Sequence, residues 1–475
     1  MRLLPFVLLT ACVSERPEGW TPHADAVADA AMTAPPSYPV APPPPLRSPG
    51  DRPDVTVYGY WPYWGDPLDT VQWDQMTHVA LFDVSLESDG TLGNTSRWTN
   101  NAAEAMQLAA PWGVKIHLTV TCFSDSIMAS VLPDPAKRAT AIAQLRTLVD
   151  QFGAHGVNID FEGMDAFLKD DLVAFTQELA AEVDEVYLAT PAVDWLGAYD
   201  YDELAFASDG LFIMGYGYHW SGGNPGPVAP LDGGGVWGPR SLSWSVDDYR
   251  TWGTPDDKIV LGLPLYGRDW PSTDNSIPGT ATASGSAAVY STSKVTGPGF
   301  GALWDAQTST SYAFPSSTRQ LWYDDADSVE IKTQYAIDEG LQGFGFWALT
   351  YDDADPDLWQ RIDAQTHFED DGPVPTPFQP GRAGVINSLS FSGATPNADV
   401  TLVIGRGPGA PTVPGCSEQL AFGSPYVLGT MQADADGQGT LHLLVPMAAR
   451  NRTVQLQAVE LDACRVSDPV ATSFQ

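Results

Sequence analysis

The chain has 475 residues, 43% of them hydrophobic and 11% aromatic, and its 59 acidic against 23 basic side chains leave a formal net charge of -36. That length exceeds one ordinary domain and suits a large barrel with smaller parts attached. The negative balance excludes recognition of nucleic acid, or of an anionic membrane surface, through charge.

Met1-Arg2 and the apolar run Leu3 to Ala11 have the charged start and short hydrophobic segment of an export signal, too short to span a bilayer as a helix. Leu9-Thr10-Ala11-Cys12 resembles the lipobox of bacterial lipoproteins, in which cleavage before the Cys leaves it lipid-modified. The expectation is a signal over 1–12 and an exported protein tied to the cell envelope only by a lipid on Cys12; free secretion is the alternative. Residues 13–52 are rich in Pro and Ala, including Pro42 to Pro45, and read as an extended spacer.

Short apolar runs then alternate with helical patterns, as successive βα units do. The runs are Val55 to Trp61, His78 to Val84, Val114 to Val120, Gly156 to Glu162, Val186 to Ala189, Leu211 to Tyr216, Ile259 to Leu263 and Gly343 to Trp347. Between the third and fourth, Asp134 can cap and Pro135 open a helix whose Ile142, Leu145, Leu148, Val149 and Phe152 share one face. Eight strands predict an α/β chain with a (β/α)8 TIM barrel over 53–370. The interval of about 271–340 is too long for one helical return and predicts a small α+β insertion between strands 7 and 8. After a Pro-rich hinge at 371–379, alternating runs at Val400 to Ile404, Thr440 to Val445 and Val454 to Val459 predict a β-sandwich over 380–475.

The fourth strand carries the chemistry. At a period of two, Val157, Ile159 and Phe161 face the helices, while Asn158, Asp160 and Glu162 face the barrel interior, with Glu162 nearest the carboxyl end where barrel active sites lie. Two inward acids one residue apart repel, which raises the proton affinity of at least one, as a general acid requires. The same spacing also occurs on a partly exposed strand with a solvated polar face.

Residues 55 to 365 resemble glycoside hydrolase family 18, whose fourth strand carries D-x-x-D-x-D-x-E. Here the motif reads His155-x-x-Asn158-x-Asp160-x-Glu162, so the last two acids stand and the first two are replaced. Tyr58-Gly59-Tyr60-Trp61, Met214-Gly215-Tyr216, Gly262 to Arg268 and Trp347 follow the family's order around the barrel. The resemblance implies Glu162 as acid, Asp160 as the group holding the substrate's acetamido N–H, and Tyr216 as donor to its carbonyl. It further implies Asn158, Trp347, Tyr58, Trp61, Met214 and Arg268 as substrate contacts. The family's usual acid after the strand-six Tyr is Gly217. The Gly156 to Glu162 form and Trp220-Ser221-Gly222-Gly223 are similar to the branch of spore-cortex and other peptidoglycan N-acetylglucosaminidases. The expected partner is therefore an N-acetylglucosamine-containing polysaccharide, peptidoglycan first and chitin second; a non-catalytic glycan-binding barrel is the third reading.

No metal-ligand spacing or phosphate-cradling loop stands out, so no cofactor and no metal are expected. Cys416 and Cys464 are the two Cys of the carboxyl-terminal module and are expected to pair in an exported chain; Cys122 is then a buried free thiol.

Overall fold

In the computed structural model, which describes residues 21–32, 42–47, 52–366, 373–407, 409–414, 419–435, 437–461, 464–467 and 469–475, the chain divides into two units, 1–367 and 368–475. The first unit is built on eight parallel strands: β1 (Thr56–Pro62), β2 (His78–Leu86), β3 (Lys115–Cys122), β4 (Gly156–Phe161), β5 (Glu185–Pro191), β6 (Gly210–Met214), β7 (Ile259–Pro264) and β8 (Gly343–Trp347). Each pairs with its neighbour in chain order, and β8 pairs with β1, which closes the barrel.

Alternation sorts the side chains into two cores. Val57, Ile159, Phe161, Leu211, Ile213 and Phe346 join the helices in an outer cluster. Tyr58, Tyr60, Phe82, Tyr187, Phe212, Met214 and Trp347 fill the interior. The helix predicted after Asp134 is Pro135–Phe152; the Asp134 side chain accepts from the Ala136 and Lys137 amides, and Gly153 ends the helix in the left-handed region at φ 65°.

The insertion is an antiparallel sheet in the order Ser286–Val289, Tyr266–Pro271, Arg319–Tyr323, Thr310–Ser316, Leu303–Asp305, with helix Tyr290–Gly299 packed on it. It begins at Tyr266 rather than near 271. After Pro264 the Leu265 amide bonds Trp347 O, and the chain then pairs antiparallel with Arg319 to Trp322 instead of continuing the barrel. Helix Ala326–Asp338 is the return to β8, and buried Lys332 on it pairs with buried Asp324 just beyond the insertion sheet.

The stretch expected to be an extended spacer is corrected at two places. Pro22–Met32 is a helix, α1. Pro at the first position, Asp25 in the first turn and a run of Ala outweigh the loop-like composition around them. Further on, Asp74 accepts from the amides of Leu46 and Arg47 at 2.6 and 3.0 Å, and Arg47 pairs with Asp363 at 2.7 Å.

The carboxyl-terminal unit has a three-stranded sheet (Val374–Pro375, Ile386–Ser392, Gly439–Leu444) and a second antiparallel sheet centred on Asp399–Gly405 and Thr453–Glu460. Leu389, Phe391, Val400, Leu402, Leu456 and Ala458 lie between them. Part of the predicted hinge belongs to this sandwich: Val374 and Pro375 pair with Ser392 and Phe391, and Gln379 bridges to Ser388.

Candidate active site

On β4 the inward row Asn158, Asp160, Glu162 is buried, at 0%, 0% and 2% exposure. Glu162 follows the last residue of the strand, and its amide continues the ladder by donating to Cys122 O at 3.0 Å. Burial raises the proton affinity of Glu162 well above the ordinary carboxylate range, and the charge of Asp160 raises it further. Burial also raises Asp160, against a hydrogen bond from Glu162 that lowers it, while Asp83 on β2 adds to the rise. Asp160 Oδ1 and Glu162 Oε2 are buried, and the interaction between the two carboxyls lowers the proton affinity of Asp160 and raises that of Glu162, with Thr21 opposing the rise at Glu162, which favours a shared proton on the Glu162 side.

Around the acids stand Tyr216 just after β6, Trp347 at the end of β8, Phe82 on β2 and Tyr60 on β1, all at most 1% exposed. Tyr60 donates to Asn158 Oδ1 at 3.1 Å. No hydrogen bond joins the buried Asn158 Nδ2 to Asp160, so this amide does not orient the carboxyl.

The cleft already holds part of the chain. His23, on α1, is fully buried with Nδ1 2.8 Å from Asp160 Oδ2 and Nε2 2.5 Å from the Tyr216 hydroxyl. Its ring stacks on Trp347 with centroids 3.8 Å apart and planes at 26°, and its amide donates to Glu162 Oε1 at 3.2 Å. Asp25, two residues on, pairs with Arg268 and accepts from Ser221 Oγ at 3.1 Å. Burial lowers the His23 imidazole to about 4, with Glu162 opposing, so the ring is neutral near pH 7.

Of the residues singled out from sequence, Asp160, Glu162, Tyr216 and Trp347 converge, and Met214 lines the same interior. Two do not reach the cleft. Tyr58 lies deeper in the barrel, among His78, His117 and Tyr187, with its hydroxyl 3.1 Å from His117 Nδ1. Trp61 alternates to the outer face, where it joins the core beneath the helices and donates to Asp66 O at 2.9 Å. Cys12 and Cys416 lie outside the described residues; Cys464 is disulfide-bonded, and Cys122 is a buried free thiol that burial pushes up to about 11. His23, Phe82 and Asp83 lie outside the motifs, and Tyr60, though within the strand-one motif, carries no assigned role.

Among the described residues two sets could offer three metal-ligating atoms: His23, Asp160 and Glu162, and His78, His117 and Glu185 at the other end of the barrel. In the second set both imidazoles and Lys115 converge on the Glu185 carboxylate. Burial works to raise Glu185, but these three bonds outweigh it and hold the carboxyl well below its usual range, a network complete in itself.

The profile of the family described as Glycosyl hydrolases family 18 matches residues 56–352, from β1 to just past β8. The chain belongs to glycosyl hydrolase family 18. It is 28% identical over 295 residues to the putative sporulation-specific glycosylase YdhD of Bacillus subtilis (strain 168), a match covering 57% of this chain and 65% of that protein. It is 23% identical over 287 residues to the cortical fragment-lytic enzyme of the same organism, covering 58% and 64%. The chain thus spans somewhat less than two thirds of the length of these relatives. Among solved structures, class V chitinase from Nicotiana tobaccum is similar with TM-score 0.59 and 18% identity, covering 66% of this chain and 99% of that one. Chitinase from Cycas revoluta in complex with (GlcNAc)3 is similar with TM-score 0.57 and 21% identity, covering 66% and 99%. These two likenesses carry the fold alone; the family profile, on 56–352, falls within the barrel unit and not on the sandwich.

Proposed function

We propose that the chain hydrolyses β-1,4 bonds next to N-acetylglucosamine in cell-wall glycan, with the substrate's own acetamido group as nucleophile and retention at the anomeric carbon. The observation that supports this is the buried Asp160–Glu162 pair at the carboxyl end of β4, where burial raises both carboxyls and the charge of Asp160 raises Glu162 further. Glu162 gives its proton to the glycosidic oxygen as the C1–O bond breaks and the acetamido oxygen bonds to C1, forming an oxazolinium ion. Asp160 accepts from the acetamido N–H, fixes the carbonyl for attack and offsets the developing positive charge; Tyr216 donates to the acetamido oxygen. Water then adds to C1 from the vacated side, its proton passes to Glu162, and the C1–acetamido bond opens, which restores the acid. Trp347 is the floor beneath the reacting ring, and Arg268 serves the cleft from the insertion.

Peptidoglycan is preferred to chitin on the Gly156 to Glu162 form and on the spore-related names of the two Bacillus relatives. The enzyme is proposed to be exported and held to the cell envelope by a lipid on Cys12; a Cys12→Ala form recovered equally in membranes excludes the anchor. Incubation with purified peptidoglycan and with chitin oligomers, for the native chain and for His23→Ala/Asp25→Ala, tests the activity. New N-acetylglucosamine reducing ends by mass spectrometry are expected, faster from peptidoglycan, and slower by on the order of a hundredfold or more with Glu162→Gln. Release from neither polymer by either form refutes the reading.

A further inference from the structure

We propose that α1 is an internal ligand of the catalytic cleft, with His23 standing in for the acetamido group of the reacting sugar, so that the chain as folded is latent until α1 withdraws. The role assigned to His23 rests on the acetamido reading above. A neutral imidazole and an amide share one pattern: a donor and an acceptor flanking a single carbon. Nδ1–H donates to Asp160, the partner proposed for the acetamido N–H, and Nε2 accepts from Tyr216, the partner proposed for the carbonyl. The ring lies on Trp347 as a sugar face would, and the His23 amide takes up Glu162 Oε1, an oxygen of the carboxyl that must meet the glycosidic oxygen.

The rest of the helix extends the same fit. Ala26 and Val27 pack against the interior aromatic cluster. Asp25 engages Arg268 from the insertion and Ser221 from the loop after β6, so α1 bridges two walls of the cleft. A helix that merely covered the barrel mouth would gain nothing by burying an imidazole between two acids, where desolvation costs it its proton. Placed as it is, each imidazole nitrogen has a partner. A glycan reaches the acids only in the fraction of molecules with α1 out, and its apparent affinity falls by that fraction.

The test uses the full chain in a Glu162→Gln background, which slows cleavage during the titration, with and without His23→Ala/Asp25→Ala. Calorimetric titration with the N-acetylglucosamine tetramer is expected to give on the order of tenfold or more tighter binding to the double variant. Asp25→Asn alone, away from the acids, should give a smaller gain in the same direction. Equal affinities overturn the proposal. A second arm reads α1 without any sugar. A site-specific protease sequence is placed within 34–40 of the full chain, and the cut protein is run on gel filtration. The fragment bearing α1 should co-elute with the unsubstituted chain and separate from the His23→Ala/Asp25→Ala form. Separation from both refutes the internal ligand. A retained fragment together with no tetramer binding by any form upholds α1 as a ligand and refutes the glycan reading instead.

Discussion

The Tyr60 hydroxyl donates to Asn158 Oδ1 over 3.1 Å, and this bond anchors the one amide in a row where the family pattern carries an acid. An aspartate there could accept the same bond while adding a negative charge beside Asp160 and Glu162. Like charge raises the pKa of both neighbours, which are already raised by burial. Asn158→Asp should therefore move both limbs of the pH–kcat/KM profile toward higher pH, by roughly half a unit to one unit. A profile that stays in place or moves toward acid contradicts the coupling.

Glu162 and Asp160 carry different duties and should fail differently. Glu162→Gln keeps the shape and removes the transferable proton, so cleavage of unactivated glycan should fall on the order of a hundredfold or more, with less loss for a substrate bearing a good leaving group. Asp160→Asn should slow both substrates comparably, since the acetamido group must be positioned whichever group departs. Parallel rates with a natural oligomer and an aryl glycoside separate the two patterns.

Gly217 occupies the position of the family's usual acid, and its backbone lies in the left-handed region at φ 72°. A side chain here costs about 1 kcal/mol. Gly217→Asp is expected to lower the denaturant midpoint of the barrel by a corresponding amount, and Gly217→Ala by a similar one. An unchanged midpoint in both would show that the turn relaxes freely.

At the far end of the barrel, burial lowers the His117 imidazole to about 4, against its hydrogen bond to Glu185, which raises it. The unfolded chain takes up a proton near pH 6.5 that the folded chain refuses until about 4, so this contribution to stability is complete above 6.5 and lost as pH falls through that window. Glu185, held low, adds its own loss only at more acid pH. Between pH 7 and 5 the native chain should lose about 2 kcal/mol more than His117→Gln, whose amide keeps a donor for Glu185 and does not titrate. Urea unfolding at the two pH values measures this.

In the carboxyl-terminal unit, buried Asn387 accepts from the Gly381 and Arg382 amides at 2.7 and 3.0 Å and donates to Arg382 O and Val385 O at 2.8 and 3.0 Å. Asn387→Ala leaves these groups without their partner and should cost about 2–3 kcal/mol. In calorimetry the transition of this unit should move down while that of the barrel and its glycan binding stay put. Loss of glycan binding would contradict that independence.

Period-two alternation exposed all eight barrel strands and the inward row on β4, because a barrel strand has one face on helices and one on the interior. Alternation does not report depth. Tyr58 and Tyr60 share a face, yet Tyr60 stands beside His23 and Trp347 while Tyr58 packs on His78 and Tyr187, and Trp61, one residue on, belongs to the outer core. The hinge and the insertion boundary slipped because pairing partners, not composition, decide where Val374 and Tyr266 join their sheets. His23 was illegible for a different reason. Its contact with Asp160 spans 137 positions, and Pro and Ala on both sides masked a short helix whose Pro start and Ala run were nevertheless present.

In a chain anchored at Cys12, α1 also sets the length of a leash. The stretch from Cys12 to Thr21 can reach about 30 Å at most, so with α1 seated the mouth of the barrel is reined in against its own bilayer. With α1 withdrawn as a helix, the distance that the chain from Cys12 to Pro42 can span, before the segment that Asp74 holds on the barrel, grows to about 80 Å at most. If the proposed anchor and the proposed latency both hold, one movement would free the acids and also deepen the shell around the membrane that the barrel can reach, tying when it can cut to how far from the membrane it can cut.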